Sequence, residues 1–296
     1  MKIVVRAPNW IGDAVFALPA LRSLGAHFAG ADMRIAGPHW IRGLLSGTEF
    51  AGKTLALGAA GAPLRAREAA AALRAEEFDT GILLANSFSS ALLFRRAGIK
   101  ERWGYRADGR GFLLTRSVPR KRRGAPLHMV RYYLGLLEGL AIPTLPPSID
   151  LSVPPEARTG AERLLAEAGV DPARPLVLLA PGAAHGPAKR WPAARFGATA
   201  EILRRNHGAA AAVVGTPADT PLAAEISASM TAPPVDLTGR TGLGDLLGLF
   251  DRAAVLLPGR AEVQGLRGAA AYGAGELERA ADAYGRAVAL DPANVA

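Results

Sequence analysis

Short apolar runs alternate with longer amphipathic stretches along this chain of 296 residues, and the pattern occurs twice. The runs at 3–5 and 82–84 are apolar at every position, which indicates strands of a parallel sheet covered on both faces. Helical stretches follow several of these runs, as in successive βαβ units. The alternation therefore predicts an α/β protein built from doubly wound sheets.

A proline-rich break separates the two predicted halves. The first half has predicted strands at 2–7, 33–36, 54–57, 81–84 and 102–105, and predicted helices at 13–27, 64–76, 87–97 and 128–140. The break covers 142–147, with two more prolines at 154–155. The second half has predicted strands at 176–180, 211–214, 235–237 and 253–257, and predicted helices at 156–169, 192–206 and 243–252. A cleft between two such halves is a common place for a ligand.

The residues after about 260 change in character. Several of them fall at the spacing of one tetratricopeptide repeat, a helix–turn–helix unit of about 34 residues: Gly268, Gly275, Ala280, Tyr284, Ala287 and Pro292. The alternative is an ordinary helical hairpin from an alanine-rich sequence. Because one repeat cannot bury its apolar face alone, this hairpin is expected to pack on something or to continue into further repeats. A protein partner that binds through the hairpin is one option for what it packs on. The predicted domains are therefore 1–145, 146–259 and the hairpin 260–296.

The composition excludes several classes of protein. Half of the residues are hydrophobic and 21% are charged, which excludes a disordered chain. The absence of cysteine excludes disulfide bridges, thiolate zinc sites, iron–sulfur ligation and a cysteine nucleophile. No apolar run approaches the ~18 residues of a membrane-spanning helix, and Arg6 and Asp13 interrupt any signal-peptide core. We expect a cytoplasmic protein, with peripheral contact to the inner membrane left open.

The chain is basic, with a formal net charge of +9, and 30 of its 35 basic residues are arginine. A positive surface attracts phosphate-bearing partners. The densest basic stretch is 116–123, with five more arginines upstream: Arg95, Arg96, Arg102, Arg106 and Arg110. Its default interpretation is a solvated loop, and a site for a phosphorylated lipid headgroup ranks next. It lacks the interleaved aromatic residues of a nucleic-acid platform, and the five histidines lack metal-ligand spacing, so neither nucleic acid nor metal is expected.

The turn after the first predicted strand, residues 7–13, is a candidate site. Ligands of open α/β sheets bind beyond the carboxyl ends of the strands. Asp13 stands at the predicted helix start, beside Gly12, which lets a substrate approach the backbone closely. A carboxylate there is suited to act as a general base on an acceptor hydroxyl, but a helix N-cap is an equally good interpretation of Asp13.

The loop at 180–192 is a second candidate, because it also lies between a predicted strand and a helix. Its glycines, the following helix N-terminus and the cations Lys189 and Arg190 suit a diphosphate. Pro192 is predicted at the first position of that helix. The loop has neither the dinucleotide fingerprint nor the P-loop pattern, which disfavours both of those classes. The alternative is that Lys189 and Arg190 are merely solvated charges.

Five segments resemble, in order, the ADP-heptose:lipopolysaccharide heptosyltransferases of glycosyltransferase family 9, most closely the type II enzymes. They are Arg-Ala-Pro-Asn-Trp-Ile-Gly-Asp-Ala-Val at 6–15, Asn-Ser-Phe at 86–88, Gly-Tyr-Arg at 104–106, the loop 181–192 with Lys-Arg-Trp-Pro at 189–192, and Leu-Thr-Gly-Arg-Thr at 237–241. The resemblance covers residues 1 to about 257. It implies a GT-B-like fold of two Rossmann-type domains and an inverting glycosyltransferase with no metal or cofactor.

The resemblance also implies roles for particular residues. Asp13 would deprotonate a heptose hydroxyl of the lipid A-core acceptor, and Lys189 would stabilise the departing diphosphate of ADP-L-glycero-D-manno-heptose. The implied acceptor-binding residues are Asn9, Trp10, Gly12, Asn86 and Ser87. The implied donor- and phosphate-binding residues are Gly182, Ala183, Ala184, Lys189, Arg190, Thr238 and Gly239.

The chain departs from the family pattern at two places. Ser89 stands where the family usually has a basic residue, two positions after the serine of its Asn-Ser motif. The donor segment Asn-Asp-Ser/Thr-Gly-Pro-x-His is replaced by Leu-Leu-Pro-Gly-Arg at 256–260 and the repeat-like tail. This indicates a second domain that is incomplete and joined to the hairpin. The alternative functions are therefore a catalytically inactive relative that binds lipopolysaccharide precursors or recruits a partner, and a truncated or fused product.

Overall fold

The structure, a computed structural model, describes residues 1–58, 65–120, 127–183 and 189–255, with the side chains of the last range followed to 253. The described residues form two compact units, unit 1 at Met1–Ser152 and unit 2 from Val153 onward. The predicted hairpin at 260–296 lies outside the described residues. Each unit is an α/β layer structure, which confirms the predicted fold class.

Unit 1 contains a six-stranded, fully parallel sheet. Its strands are β1 (Lys2–Arg6), β2 (Asp32–Gly37), β3 (Thr54–Ala56), β4 (Thr80–Leu83), β5 (Glu101–Arg106) and β6 (Arg116–Pro119). Its helices are α1 (Ile11–Phe16), α2 (Leu18–His27), α3 (Ile41–Leu45), α4 (Ala66–Ala75), α5 (Phe88–Arg96) and α6 (Met129–Gly139). The five strands and four helices predicted for the first half are confirmed, and most of their predicted ends lie within three residues of the observed ones.

The strand order of unit 1 is β3-β2-β1-β4-β5-β6. The chain moves outward from β1 to β3 and then returns to lay β4 on the other side of β1. The loops after β1 and β4 therefore leave the sheet in opposite directions, which opens a crevice at its carboxyl edge. The sequence alone gives no neighbour relation between these strands.

Helices cover both faces of the first sheet. On one face, Val4 and Leu83 of the sheet pack with Leu73 of α4 and Phe94 of α5 in one buried cluster. On the other face, α2 lies against β2, where Gly25 is close to the methyl group of Met33. The continuous apolar runs of β1 and β4 follow from this double coverage, because neither side of the strand meets water.

Some expectations for unit 1 are wrong in detail. The predicted helix 13–27 begins earlier, at Ile11, and breaks at Ala17, just before Pro19 restarts it as α2. The basic stretch 116–123 is not only a solvated loop, because its first four residues form the edge strand β6. There the guanidinium of Arg116 stacks 4.5 Å from the ring centre of Trp103. The short helix α3 was not predicted, since five residues are too few to show a helical period.

The segment that follows α6 belongs with unit 1. The Arg22 side chain of α2 donates to the carbonyl oxygens of Ser148 (2.7 Å) and Asp150 (2.8 Å). The Leu145 backbone N–H donates to the buried hydroxyl of Ser23. These bonds hold the proline-rich segment against α2 as far as the end of the unit.

Unit 2 has a parallel sheet with the order β7-β8-β9 among its described residues. The strands are β7 (Leu176–Leu179), β8 (Ala210–Val213) and β9 (Val235–Asp236), and the helices are α7 (Pro155–Glu167), α8 (Ala193–His207), α9 (Thr220–Ala228) and α10 (Leu243–Val255). Apolar residues of α7 and α10 pack on one face of the sheet, and those of α8 and α9 pack on the other. The unit is therefore doubly wound as well.

The predicted strand 253–257 is wrong where the structure describes it, because α10 continues to Val255. A short apolar run is too short to show whether its hydrophobic period is that of a strand or of a helix, and the two alanines at 253–254 favour a helix. Ala253 packs with the α7–α10 core cluster. Helix α10 crosses α7 so closely that a Cβ on Gly248 would lie 2.0 Å from the Ala157 carbonyl oxygen.

Candidate functional site

The end of β1 and the turn after it carry three polar side chains, of which Arg6 and Asn9 line the crevice of unit 1 and Asp13 is not among its lining residues. Arg6 ends the strand, Asn9 lies in the turn, and Asp13 lies in the first turn of α1. The Arg6 guanidinium is 4% exposed and donates to the Ala7 carbonyl (2.5 Å) and to Asn9 Oδ1 (2.6 Å). Asn9 is thereby held in a fixed orientation.

Asp13 is not a helix N-cap, so that alternative interpretation is wrong. Trp10 occupies the N-cap position of α1 and makes no side-chain capping bond. Within the described parts of the chain, no hydrogen bond or ion pair reaches the Asp13 carboxylate. Partial burial raises its pKa above the usual value. The pKa of Tyr133 on α6 is raised chiefly by burial and further by the charge of Asp13. A half-buried carboxylate with a raised pKa is a stronger base than a solvated one.

The loop between β4 and α5 holds the second predicted group of acceptor residues. Ser87 caps α5, because its side-chain oxygen accepts from the Ser90 backbone N–H (3.3 Å). Asn86 donates through Nδ2 to the Tyr132 hydroxyl of α6 (2.5 Å). The Tyr105 hydroxyl in turn donates to the Tyr132 carbonyl (2.7 Å). The loop is therefore tied to α6 by side-chain hydrogen bonds.

A fully buried arginine, Arg110, holds this loop through hydrogen bonds. Arg110 is 0% exposed, and its guanidinium donates to the carbonyl oxygens of Ala85 and Tyr105 and to Asn86 Oδ1. Burial lowers the pKa of Arg110 to about 10. The sequence placed Arg110 among solvated charges, and this expectation is wrong, because its partners are carbonyls that only the fold brings together. It is a positioning residue for Asn86 and Ser87.

The two loops meet in a crevice of about 400 Å³ in unit 1. Asn9 from the first loop and Ser87 from the second both line it, although 78 positions separate them in the sequence. Arg6 lines it as well, although it was not among the predicted site residues. Two signals could have found it: Arg6 opens the family-like segment 6–15, and it is a charged residue directly after the apolar run 3–5.

Trp10 and Gly12 lie at the start of α1, and both are exposed. Trp10 is 57% exposed, an unusual degree for a tryptophan. A Cβ added to Gly12 would meet no described atom within 4 Å, and its φ is not in the left-handed region. Neither packing nor backbone conformation therefore requires glycine at position 12, which agrees with the predicted close approach of a substrate.

Three of the predicted donor residues, Gly182, Thr238 and Gly239, lie at the carboxyl edge of the second sheet. A Cβ on Gly182, after β7, would lie 2.6 Å from the Asp219 carboxylate, which follows β8. Asp219 itself accepts from the backbone N–H and hydroxyl of Thr216. Gly182 is thus required by packing, and Asp219 is a buried carboxylate that the sequence analysis missed.

The turn after β9 reaches the same edge. Thr238 donates to Asp236 Oδ1 (2.7 Å), and its hydroxyl oxygen lies 3.0 Å from that of Thr220. Gly239 has φ +71°, and a Cβ there would lie 2.9 Å from Pro217. Three turns that follow consecutive strands therefore converge, as expected for the carboxyl edge of a parallel sheet.

Lys189 and Arg190 are exposed and lie just before α8. Pro192 is the N-cap of α8 rather than its first residue, and no side chain caps the helix there. The N-terminal N–H groups of α8 therefore lack side-chain capping beside two cations. Of the other predicted phosphate ligands, Ala183 lies in the described part of the loop, and Ala184 lies outside the described residues.

Two further features are absent from the part of the chain that the structure describes. No group of three or more His, Asp or Glu side chains there is arranged to hold a metal ion. No described helix is both long and apolar enough to span a membrane.

Comparisons with known proteins agree on one family. The family model of glycosyltransferase family 9 (heptosyltransferase) matches residues 66–258. Lipopolysaccharide heptosyltransferase 2 of Escherichia coli is 30% identical over 69% of this chain, which spans 60% of that relative. Lipooligosaccharide heptosyltransferase 2 of Haemophilus influenzae is 26% identical over 84% of this chain and 75% of the relative.

The solved structure of E. coli ADP-heptose LPS heptosyltransferase II has a TM-score of 0.70 and 27% identity. The match covers 86% of this chain and 82% of the solved one. It supports the GT-B-like fold predicted from the sequence, and the family match covers the β4–α5 loop and the Lys189 loop. The chain is a glycosyltransferase that belongs to family 9, the heptosyltransferases.

Proposed function

We propose that the protein transfers L-glycero-D-manno-heptose from ADP-heptose to a heptose of the lipopolysaccharide inner core, with inversion at the anomeric carbon. The observation that carries the proposal is Asp13, a half-buried carboxylate with a raised pKa and no partner among the described residues. Its position after β1 at the switch point is where ligands of such sheets bind. Similarity to heptosyltransferases that act on lipopolysaccharide supplies the substrate class.

Unit 1 is assigned to the acceptor. Asp13 accepts the proton of the attacking hydroxyl as its oxygen forms a bond to the anomeric carbon of the donor. The bond from that carbon to the diphosphate breaks in the same step, and ADP carries away the electron pair. A single displacement of this kind inverts the anomeric configuration. Asn9, Asn86 and Ser87 position the acceptor, and Arg110 holds the last two in place.

Unit 2 is assigned to the donor. The Lys189 and Arg190 side chains and the uncapped N–H groups of α8 supply positive potential for the diphosphate. The turns at Gly182, Thr238 and Gly239 give backbone access for the nucleotide at the same edge. Lys189 stabilises the charge that develops on the leaving group.

The test is a transfer assay with ADP-heptose and a heptose-terminated core acceptor, read as ADP release and as product mass. We expect Asp13→Asn to lower kcat by about 10²–10⁴-fold, the usual contribution of a general base. Lys189→Met is expected to lower kcat by about 10²–10³-fold, as for loss of a transition-state charge donor. Glu162→Gln and Lys100→Met, both exposed, are the matched charge controls.

Gly12→Ala separates substrate approach from folding. It should melt like the wild type, because the added methyl group meets no described atom, and yet lose acceptor turnover. No ADP release above the acceptor-free rate, or Asp13→Asn turning over like the wild type, would refute transfer. Calorimetry with ADP-heptose then identifies the inactive-relative alternative, for which no Lys189-dependent binding is expected.

A further inference from the structure

We infer that the crevice of unit 1 contains an oxyanion-binding subsite in which Arg6 is the cation, and that it binds a phosphate or carboxylate group of the acceptor. The general assignment to the acceptor rests on the proposed function. The subsite itself rests on the geometry around Arg6.

Arg6 is buried without a counter-ion. Its side chain is 4% exposed, and among the described residues it forms no ion pair. Two of its nitrogens donate to neutral oxygens, those of Ala7 and Asn9, and its Nε–H is buried without any partner. Burying an unpaired charge is unfavourable unless something compensates for it. An anion in the crevice would compensate for it.

The crevice beside Arg6 offers hydroxyl and backbone donors. Ser87, Ser89 and Ser90 line it at the N-terminus of α5, a helix of nine residues. The hydroxyl oxygen of Ser87 lies 3.0 Å from that of Ser89 and 2.5 Å from that of Ser90. The first N–H groups of α5 add positive partial charge at the same place. The described lining contains no carboxylate that would repel an anion.

The fold explains why this cation lies in the crevice. Arg6 is on the same face of β1 as Val4, which packs in the core beneath α4 and α5. Arg6 is two residues after Val4 and ends the strand, so on the same face it lies beyond the helices, at the carboxyl edge of the sheet. The guanidinium is therefore held on a rigid strand, with apolar Leu57 and Leu93 in the same lining. The low polarity of these neighbours strengthens its attraction for an anion.

The primary test follows the Arg6 side chain directly by NMR. Its Nε–H correlation is assigned by its loss in Arg6→Lys, and the full-length protein is then titrated with inorganic phosphate and with acetate. We expect a saturable shift of this correlation with at least one anion, and the anion that binds more tightly identifies the acceptor group. No saturable shift with either anion would overturn the subsite.

A matched pair of variants keeps the test valid if Arg6→Lys does not fold. Ser89 is exposed at the crevice, so Ser89→Asp adds a negative charge there, while Ser89→Asn adds the same bulk without the charge. We expect Ser89→Asp to weaken anion binding about tenfold or more and Ser89→Asn to change it by less than about twofold. Equal affinities in the two variants would contradict the subsite.

Turnover distinguishes this inference from the proposed function. In the transfer assay, Ser89→Asp should raise the KM for the acceptor and leave the KM for ADP-heptose unchanged. A change confined to the KM for ADP-heptose would overturn the assignment to the acceptor. If the protein shows no transfer at all, the anion titration still decides whether the subsite exists.

Discussion

Arg110→Met is the substitution that tests most directly how the acceptor loop is held. Methionine keeps much of the side-chain volume but removes every donor. It leaves the carbonyl oxygen of Ala85 and the side-chain oxygen of Asn86 without a donor, whereas the Tyr105 carbonyl keeps its bond from the Ala107 backbone N–H. Each buried acceptor left unpaired costs about 1–3 kcal/mol, so a loss of about 2 kcal/mol is expected at the lower limit.

An opposing effect has to be weighed against this cost. Arg110 is itself buried without an ion pair among the described residues, and burial lowers its pKa to about 10. Removing such a charge recovers desolvation free energy, and replacing both partners of a buried polar contact is often neutral. Here the carbonyl partners remain in place, so we expect the loss of hydrogen bonds to dominate.

The predicted loss is measured by thermal unfolding followed by tryptophan fluorescence, to which unit 1 contributes Trp10, Trp40 and Trp103. A change of 1 kcal/mol shifts Tm by about 2–4 °C in a domain of this size, so a decrease of about 4–8 °C is expected. Arg96→Met, at an exposed position on α5, is the control and should melt within about 2 °C of the wild type.

The functional part of this prediction separates positioning from stability. Below the melting range, Arg110→Met should raise the KM for the acceptor and leave the KM for ADP-heptose unchanged, because Asn86 and Ser87 lie in unit 1. Arg110→Lys, with fewer donors, should fall between methionine and arginine. A Tm equal to or above that of the wild type would refute the hydrogen-bond reasoning, and equal losses for both substrates would refute the positioning role.

Three further predictions concern stability. Gly248→Ala should destabilise unit 2 by about 2–3 kcal/mol in denaturant unfolding, because the new methyl group would meet the Ala157 carbonyl, whereas Gly244→Ala, with open space around its Cβ, should not. Asp13→Asn should raise Tm at pH 7 but not at pH 3. Because the pKa of Asp13 is raised in the native state, ionisation of this carboxyl at neutral pH destabilises the native state relative to the unfolded chain. An equal Tm of the variant and the wild type at pH 7 would contradict this. The pKa of Glu201 is lowered to about 2, chiefly by side-chain hydrogen bonding from Arg204. The ionised Glu201 should therefore stabilise unit 2 above pH 4.5, and this stabilisation should be lost as the pH falls toward 2. Glu201→Gln should remove this part of the acid unfolding transition, and an unchanged dependence of stability on pH would count against the reasoning.

Much of the fold could be predicted from local pattern. The runs at 3–5 and 82–84 are continuous because both faces of β1 and β4 are buried, and burial on both faces is visible in the sequence as an absence of alternation. The predictions that were wrong concern short segments without a period. Residues 253–255 continue α10, and 116–119 form an edge strand despite their charge.

Among the described residues, the predicted site residues at 9–13, 86–87, 182–183 and 238–239 follow the carboxyl ends of strands, and Lys189 and Arg190 lie just before α8. Their catalytic and binding roles stay predictions until the assays above are made. The burial of Arg6 and Arg110 and their hydrogen-bond partners could not be predicted from the sequence. A sequence shows that a residue is charged, but not whether its neighbours in space are water, carboxylates or backbone carbonyls.

The sequence by itself determined the α/β class, the two doubly wound units and the turns that carry Asp13, Asn86, Gly182 and Lys189. Those properties depend on hydrophobic period and on turn chemistry, which are local. The tertiary structure alone decided that β4 lies beside β1, which brings Asn9 and Ser87 into one crevice. Strand order is decided by how the crossover helices pack on the sheet, and that packing involves residues far apart in the chain.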